Sequence, residues 1–562
     1  MEDKYPWLQR YPEGIPHSIN SDQYDSLVDV IRESAEKHNS QVAFENIGKQ
    51  MTYSEIDSLS DDFASFLQNE IKLQKGDRMA LQMPNILQYP IAMFGALKAG
   101  VIVVNTNPLY TRPEMEHQFN DAGVKAIVIL ANFAYNLEGT LKNTSIEHVI
   151  ITEIGDLIGG LKGSLINFVV KRIKKMVPSY SISGALSFKE CLAKGARHQL
   201  KRVEIKSDDL AFLQYTGGTT GISKGAMLTH RNVISNIIQV RAWISNLMTK
   251  DGEIMITALP LYHIFALVVN GLIMYALGAK NVLITNPRDM DGFVKELSKH
   301  KFSMITGVNT LYNGLLNHPK FSSLDFSKLK FAAGGGMAVQ KVVAEKWKEV
   351  TGQPLLEGYG LTETSPVLTF NPTNGNDRIG TIGLPVPSTE LKLLDDEGNE
   401  VAVGERGEIC AKGPQVMKGY WQRQEETDEA FINGWLRTGD IGTMDEDGFF
   451  RIVDRKKEMI LVSGFNVYPN DIENVIASHP KVLELGTVGV PDSKSNEAVK
   501  IFVVKKDDSL TEDELKAYCK ENLTGYKRPK YIEFVKELPK SNVGKVLRRT
   551  LKEEDAKTNT YS

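Results

Sequence analysis

The chain has 562 residues, of which 42% are hydrophobic and 24% are charged. That length exceeds what a single hydrophobic core usually fills, so we expect at least two domains, and the ordinary composition excludes extensive disorder. The formal net charge of −4 gives no general attraction to nucleic acid. Three widely spaced cysteines predict neither a disulfide framework nor a metal cluster.

The location of the protein is predicted from its first residues and from the longest apolar runs. The N-terminus is acidic and interrupted by Pro6, which is unlike a secretory signal. Even the apolar stretch Phe265–Ala279 contains Asn270 and two glycines, so no membrane span is predicted. We therefore expect a cytoplasmic protein.

In chain order, short β-branched runs alternate with turns and helical patterns. Val101–Val104, Ala126–Leu130 and Val282–Thr285 are such runs. This alternation predicts an α/β fold whose layered sheets are largely parallel. The segment from Thr381 to Lys412 has short strands and tight turns, which predicts a small β-rich subdomain.

A domain boundary is predicted after residue 453, where a charged cluster follows the predicted strand Phe449–Val453. We expect an N-terminal domain over residues 1–453, a hinge over 454–457 and a small α+β C-terminal domain over 458–562. The predicted elements of the last domain are a helix at Asp471–Ser478, strands at Leu485–Val490 and Lys500–Val504, and a helix at Thr511–Asn522.

Leu157–Val177 is basic and has apolar residues at helical spacing. It contains five basic residues and no acidic residue. One interpretation is an interfacial helix that makes a peripheral contact with the inner face of the membrane. The other is an ordinary amphipathic helix packed on the core, and three glycines weaken either helix.

The strongest chemical signal is Tyr215–Gly225, which directly follows the apolar run Leu210–Leu213. It combines four glycines with hydroxyl side chains and Lys224. Unobstructed backbone N–H groups beside a lysine favour a polyphosphate site over a flexible linker. Lys224 precedes a glycine and not a serine or threonine, so this is not a Walker A loop. We expect a strand before the loop and a helix after it.

Tyr215–Gly225 resembles the phosphate loop of the adenylate-forming superfamily, which includes acyl-CoA synthetases, peptide-synthetase adenylation domains and luciferases. The other motifs of that superfamily follow in order at Ala332–Gly336, Gly358–Thr364, Thr438–Asp440, Asp454–Lys457 and Pro539–Lys545. Leu259–Leu267 and Asn433–Asp440 make the chain most similar to the bacterial long-chain fatty acid–CoA ligases. Arg437 stands where those relatives are expected to have histidine.

The resemblance implies ATP and coenzyme A as substrates and Mg²⁺ as cofactor. Tyr359 would stack on adenine, Asp440 would bind the ribose hydroxyls, and Arg455 would bind ribose or α-phosphate oxygens. The implied nucleotide contacts are Thr216, Gly217, Gly218, Thr219, Thr220, Gly221, Lys224, Gly334, Gly335, Gly336, Tyr359, Gly360, Thr362, Asp440 and Arg455.

The resemblance also implies which residues carry the reaction. Glu363 and Thr216 would bind Mg²⁺, since hard cations prefer oxygen ligands. Lys545, Thr216 and Glu363 would be catalytic, with the Lys545 ammonium stabilising charge on the α-phosphate. The C-terminal domain would be mobile. It would turn about the hinge residue Lys457, and Gly464 would face the site in a second, thioester-forming conformation.

The implied acyl pocket includes His263, Phe265 and Ala266. Amino-acid-activating relatives need an acidic residue after this phenylalanine, whereas here Ala266 and Leu267 follow. A substrate ammonium would be buried unpaired, so the segment predicts an acid with an apolar tail. The expectation of a long chain comes from the resemblance.

The sequence therefore predicts a ligase that activates a long-chain fatty acid as acyl-AMP and then forms a thioester with coenzyme A. A ligase for a medium-chain or aryl acid, acyl transfer to a carrier protein, and a catalytically silent binding protein are the alternatives. The chain ends 17 residues after Lys545 without a carrier domain, which favours coenzyme A. A homodimer is left open.

Overall fold

A computed structural model of the chain describes residues 5–216, 223–249, 252–492, 494–541, 543–559 and 561. The elements up to the phosphate loop are α1 (Leu27–Lys37), β1 (Val42–Asn46), β2 (Lys49–Thr52), α2 (Tyr53–Asn69), β3 (Arg78–Gln82), α3 (Gln88–Lys98), β4 (Ile102–Asn105), α4 (Arg112–Ala122), β5 (Ala126–Leu130), α5 (Ala134–Thr140), β6 (His148–Thr152), α6 (Gly160–Phe168), β7 (Leu186–Ser187), α7 (Phe188–Gly195) and β8 (Leu210–Thr216).

The elements between the phosphate loop and the predicted hinge are β9 (Lys224–Thr229), α8 (His230–Ile244), β10 (Ile254–Thr257), α9 (Met274–Ala276), β11 (Lys280–Leu283), α10 (Met290–Leu297), β12 (Met304–Gly307), α11 (Asn309–Asn317), β13 (Phe331–Gly334), α12 (Lys341–Thr351), β14 (Leu355–Gly360), β15 (Val367–Phe370), β16 (Leu384–Pro385), β17 (Glu390–Leu394), β18 (Gly407–Lys412), α13 (Gln424–Ala430), β19 (Phe431–Ile432), β20 (Trp435–Met444) and β21 (Phe450–Arg455).

The remaining elements are β22 (Ile460–Val462), β23 (Phe465–Val467), α14 (Pro469–Ile476), β24 (Val482–Asp492), β25 (Asn496–Lys505), α15 (Glu512–Asn522), β26 (Tyr531–Val535) and α16 (Arg548–Thr558). Two π-helical segments occupy Val169–Ile173 and Ala266–Ile273. Short 3₁₀ turns occupy Pro6–Arg10, Ala131–Phe133, Leu141–Asn143, Ser245–Leu247, Phe321–Ser323, Thr362–Thr364, Lys456–Glu458 and Gly525–Lys527.

Two large sheets form the body of the protein, which confirms the predicted layered α/β architecture. One has the strand order β16-β15-β14-β13-β12-β10-β11-β1-β2, and β14 to β1 pair in parallel. The other has the order β7-β6-β5-β3-β4-β8-β9 and is parallel except for the β8–β9 hairpin. Central strands such as β5 are buried along their whole length, because helices cover both faces of a parallel sheet.

The predicted β-rich subdomain is a five-stranded antiparallel sheet. Its strands β17, β18, β20, β19 and β21 extend past the predicted limit of Lys412 to Arg455. This sheet ends at the residues that were predicted to form the hinge.

The residues after 459 form a separate five-stranded sheet with its own hydrophobic clusters, which we call the C-terminal unit; the rest is the large unit. The helix predicted at Asp471–Ser478 is α14, and the one predicted at Thr511–Asn522 is α15. The two predicted strands lie inside the longer β24 and β25. Strand β25 pairs with β22, β24 and β26 and is therefore the central strand of this unit.

Two local predictions differ from the structure. Lys224 begins strand β9, antiparallel to β8, where a helix was expected to follow the phosphate loop. Between residues 157 and 177, the α-helix ends at Phe168 and continues as the π-helical segment to Ile173. Among the described residues, no helix is both long and apolar enough to span a bilayer.

Candidate active site

A cavity of about 930 Å³ lies where several strands of both large sheets end. Such sites are common at the carboxyl ends of parallel strands, where loops diverge. The cavity wall contains most of the residues singled out in the sequence: Thr216, Lys224, His263, Phe265, Gly334, Gly335, Gly336, Tyr359, Gly360, Thr362, Glu363, Arg455, Lys457 and Lys545. Asp440 lines an adjoining cleft of about 140 Å³ that shares Tyr359, Arg455 and Lys545.

The two ends of the predicted phosphate loop lie opposite each other. Thr216 is the last residue of β8 and pairs with Lys224, the first residue of β9. The Lys224 ammonium lies 5.2 Å from the centre of the Tyr420 ring. Gly217, Gly218, Thr219, Thr220 and Gly221 lie outside the described residues, so their predicted role stays a prediction.

Asp440 joins two residues that were predicted to contact the nucleotide. The Tyr359 hydroxyl donates to Asp440 Oδ2 at 2.7 Å, and Arg455 Nε lies 3.1 Å from Asp440 Oδ1. Burial, followed by the Asp440 charge, raises the pKa of Tyr359 well above its usual value, so the phenol stays a donor. The Asp440 carboxylate raises the pKa of Arg455, which stays a cation.

Close packing leaves little room for a side chain at some glycines of the cavity wall. A Cβ on Gly360 would lie 1.8 Å from the Pro366 carbonyl oxygen. A Cβ on Gly335 would lie 3.0 Å from the ring of Phe265, so the glycine motif and the predicted acyl pocket share a wall. Gly336 has a φ of +75°, a conformation that favours glycine.

Glu363 is held by a residue that the sequence analysis did not single out. It lies in the 3₁₀ turn Thr362–Thr364, and its Oε1 accepts a 2.8 Å hydrogen bond from the Tyr420 hydroxyl. Among the described residues only Tyr420 donates to this carboxylate. Burial and the Glu363 charge raise the pKa of Tyr420, which keeps it a donor. A carboxylate and the Thr216 hydroxyl in one cavity wall are oxygen ligands that suit Mg²⁺.

Lys545 from the C-terminal unit and His263 from the large unit meet in this cavity. Burial, with a smaller contribution from the Lys545 charge, lowers the pKa of His263 to about 4. Burial, with repulsion from Arg455, lowers the pKa of Lys545 to about 8. Near neutral pH the histidine is therefore neutral while the lysine is mostly protonated.

The geometry at His263 also assigns its tautomer. The Phe265 backbone N–H donates to His263 Nδ1 at 3.3 Å. Since this nitrogen accepts, the proton of the neutral ring lies on Nε2, where it can be donated to a ligand.

Another part of the cavity wall is apolar. Ala266 was predicted to be part of the acyl pocket. It is fully buried and is not among the described residues that line the cavity. It begins the π-helical segment Ala266–Ile273, and π-helical turns often occur at functional sites. The apolar lining includes Val240, Trp243, Ile244, Met255, Leu259, Ile264, Val269, Met274, Phe331, Val367, Phe370 and Val386.

The predicted hinge is surrounded by ion pairs. Lys457 lies in the 3₁₀ turn Lys456–Glu458 at the edge of the cavity. Arg548, with a side chain that is 14% exposed, lies 3.3 Å from Asp454, 2.9 Å from Glu473 and in contact with Glu458. Burial raises the pKa of Asp454 to about 6.

Gly464 lies away from the cavity in this conformation. It has a φ of +86° in the exposed turn between β22 and β23. Its predicted role in a second conformation stays a prediction.

Arg437 has a definite partner. It pairs with the buried carboxylate of Glu408 at 2.6 Å, and the other oxygen of Glu408 accepts from the Gly439 N–H at 3.2 Å. The pair thus fixes the irregular part of strand β20 immediately before Asp440. Glu408 was missed in the sequence because it stands alone in a strand. Glu357 was missed for the same reason; it lines the adjoining cleft, and burial raises its pKa to about 8.

Comparison with known proteins identifies the family. Residues 31–421 match the model of the AMP-binding enzyme, and residues 471–545 match that of the AMP-binding enzyme C-terminal domain. The chain therefore belongs to the AMP-binding enzyme family.

Individual relatives agree with this assignment over nearly the full length. The chain is 58% identical over 551 residues to a long-chain-fatty-acid–CoA ligase of Escherichia coli O157:H7, covering 98% of each chain. It is similar, with a TM-score of 0.84 and 25% identity, to the anthranilate CoA ligase AuaEII in complex with anthranoyl-AMP, covering 95% of this chain and 99% of that one. ATP-bound MatB from Rhodopseudomonas palustris gives a TM-score of 0.81 at 27% identity, covering 94% and 99%.

Replacing Arg437 tests the pairing with Glu408. We expect Arg437→Ala to lower the free energy of unfolding by about 1–2 kcal/mol, because Glu408 stays buried while the half-exposed arginine is lost. Urea unfolding measures this. Arg549→Ala, which removes a pair that is exposed on both sides, is the control and should change little. Equal effects of the two substitutions would contradict the prediction.

Proposed function

We propose that the chain activates a long-chain fatty acid with ATP and then transfers the acyl group to coenzyme A. The observation that carries this proposal is the meeting of Lys545 and His263 in one cavity, between the predicted nucleotide contacts and an apolar wall. Membership of the AMP-binding enzyme family and the 58% identical relative support the same reaction.

In the first step a carboxylate oxygen of the acid attacks the α-phosphorus of ATP, and the bond to the bridging oxygen breaks to release pyrophosphate. Negative charge grows on the α-phosphate oxygens, and the cations Lys545 and Arg455 stabilise it. The Nε2–H of neutral His263 donates to the carboxylate and orients it. Tyr359 and Asp440 hold the adenine and ribose, beside the Gly334–Gly336 backbone.

Glu363 and Thr216 would hold Mg²⁺ at the same wall. The Tyr420 hydroxyl fixes one carboxylate oxygen of Glu363 and so orients the other. When bound, Mg²⁺ neutralises charge on the phosphate oxygens. The phosphate loop, with Lys224 at its end, would bind the β- and γ-phosphates through its backbone N–H groups.

In the second step the thiol sulfur of coenzyme A attacks the acyl carbonyl, AMP leaves and the thiol proton passes to water. We infer that the C-terminal unit turns about Lys457 between the steps, withdrawing Lys545 and bringing Gly464 to the cavity. The separate sheet and clusters of this unit support such a movement.

Two further predictions stay open to direct measurement. Limited proteolysis would check the domain limits at 1–453, 454–457 and 458–562. Sedimentation velocity would check the homodimer.

The pH dependence of the first step tests the role of Lys545. Only the protonated lysine stabilises the developing charge, and its pKa is about 8. We expect the rate of acyl-AMP formation to be nearly constant below about pH 7, to reach half its maximum near pH 8 and to fall about tenfold per pH unit above about pH 9. Single-turnover pyrophosphate release measures this rate. Lys545→Arg, which keeps its charge, should move the fall to higher pH, and an identical fall in both proteins would contradict the assignment.

The apolar wall supports a long acyl chain. From Ile264 to Met274 the chain is helical, and Ile264, Phe265, Val269 and Met274 of this stretch line the cavity. Trp243 belongs to this wall, is fully buried and packs against Tyr11 with ring centres 5.0 Å apart. Val240, Trp243 and Ile244 share one face of α8, so the lining is continuous on that side.

A chain-length series tests the acid specificity. We expect kcat/KM for AMP release to rise by up to about fourfold for each added CH₂, and to be highest for long-chain acids, because each buried CH₂ is worth about 0.8 kcal/mol. Val240→Phe should move the optimum to shorter acids while activity on octanoate remains. A native preference for medium-chain or aryl acids would contradict the proposal, and AMP release without coenzyme A would favour another acceptor.

The segment from residue 160 to 176 supports contact with a lipid surface. Its apolar side chains are exposed: Leu161 is 92%, Leu165 61% and Ile173 64% exposed. Among the helical residues of α6 and the following π-helical segment, only Gly163 is buried. The same segment exposes Lys171, Arg172, Lys174 and Lys175. We propose that it lies on anionic lipid headgroups with its apolar residues inserted.

Liposome flotation tests this contact. With vesicles containing phosphatidylglycerol, we expect the native chain to float and the variant Lys171→Glu, Arg172→Glu, Lys174→Glu, Lys175→Glu to lose binding, since each basic residue contributes about 1 kcal/mol. Lys341→Glu, Lys348→Glu on exposed positions of α12 is the control and should float normally. Flotation that is unaffected by the fourfold change would refute the contact.

A further inference from the structure

Helix α11 of the large unit touches the loop that carries Lys545. Thr310 Oγ1 donates to the Gly544 carbonyl oxygen at 2.9 Å, and Asn313 Nδ2 donates to the Leu483 carbonyl oxygen at 3.0 Å. The two donors are three residues apart and therefore share one face of the helix. Both acceptors are main-chain atoms of the C-terminal unit, so the contact depends on its orientation and not on its side chains.

The described residues of the contacted loop are hydrogen-bonded to one another. Ser541 N–H donates to the Lys545 carbonyl oxygen at 2.7 Å, and Gly544 N–H donates to the Ser541 carbonyl oxygen at 2.9 Å. Lys545 N–H also donates to Ser541 Oγ at 3.1 Å. Because these bonds close the loop on itself, fixing Gly544 also fixes the backbone from which the Lys545 side chain starts.

The approach between α11 and the loop is close. Gly544 has a φ of +83°, and a Cβ at that position would lie 2.8 Å from Thr310 Oγ1 and 3.2 Å from Val308 Cγ2. The second attachment is Arg548, which bonds to Asp454 and Glu458 at the predicted hinge. The loop is thus held on one side at the hinge and on the other side by α11.

We propose that Thr310 and Asn313 are positioning residues for Lys545. Their two hydrogen bonds stabilise the orientation in which the lysine ammonium lies in the cavity, and so they support acyl-adenylate formation. The proposal rests on the proposed function, in which the thioester step proceeds without Lys545. It follows that the two residues matter for one half-reaction and not for the other.

Separate assays of the two half-reactions test this proposal. ATP–pyrophosphate exchange with hexadecanoate reports on the first, and coenzyme A-dependent consumption of supplied hexadecanoyl-adenylate reports on the second. We expect exchange to fall about fivefold in Thr310→Val and in Asn313→Asp, and about twentyfold in the double variant, from the usual contribution of neutral hydrogen bonds. Consumption of the adenylate should stay within about twofold of native.

Two variants serve as controls. Asn246→Asp removes the hydrogen bond that Asn246 Nδ2 donates to the Glu13 carbonyl oxygen within the large unit. This bond has the same 3.0 Å length as that of Asn313, and its loss should leave both assays unchanged. Thr310→Ser keeps the hydroxyl donor and should restore exchange relative to Thr310→Val.

Several outcomes would overturn the inference. These are unchanged exchange in the double variant, an equal fall of both half-reactions, or a Thr310→Ser variant as slow as Thr310→Val. Absence of exchange with any carboxylic acid in the native chain is a different result, because it would refute the proposed function itself.

Discussion

The proposed chemistry depends on keeping a positive charge inside a cavity that disfavours it. Burial, and then the charge of Arg455, lowers the pKa of Lys545 to about 8. The site therefore disfavours the charged form of the lysine. Glu458 and Asp440 offset part of this cost. The remaining stabilisation must come from contacts elsewhere between the two units. The hydrogen bonds of α11 and the ion pairs of Arg548 are such contacts.

Asp440 connects two sheets at the side of the cavity that is proposed to bind the nucleotide. Tyr359 belongs to the nine-stranded sheet, whereas Asp440 and Arg455 pair across adjacent strands of the β-rich sheet. A buried carboxylate that accepts from both a phenol and a guanidinium has little freedom to rotate. The relative placement of the two sheets therefore determines the geometry at the proposed ribose site.

The sequence predicts those features that a local pattern encodes. The predicted strand Ala126–Leu130 has the same first and last residues as β5, because an uninterrupted apolar run suits a strand that is buried on both faces. Most of the motif residues line one cavity, and close packing requires glycine at one of them, Gly360. The helix expected after the phosphate loop was wrong, because β9 is recognisable only from its pairing with β8.

Other contacts carry no local signal. Tyr420, Glu408, Thr310 and Asn313 are ordinary polar residues whose partners are distant in the chain; Thr310 and Gly544 are 234 positions apart. The direction of the apolar side chains between residues 160 and 176 was likewise undetermined, since the same spacing suits a core-facing or an exposed helix. Only the packing of neighbouring elements distinguishes these cases.

The narrow space between Gly335 and Phe265 has a consequence for substrate binding. The Phe265 ring lies against the Gly335 backbone, with only the room that a missing Cβ provides, so this ring would separate the proposed nucleotide side from the proposed acyl side. Any acid that turns this ring would change the surface against which the adenine base is proposed to rest. The affinities for acid and nucleotide are then thermodynamically coupled, and by reciprocity each substrate alters the binding of the other by the same factor.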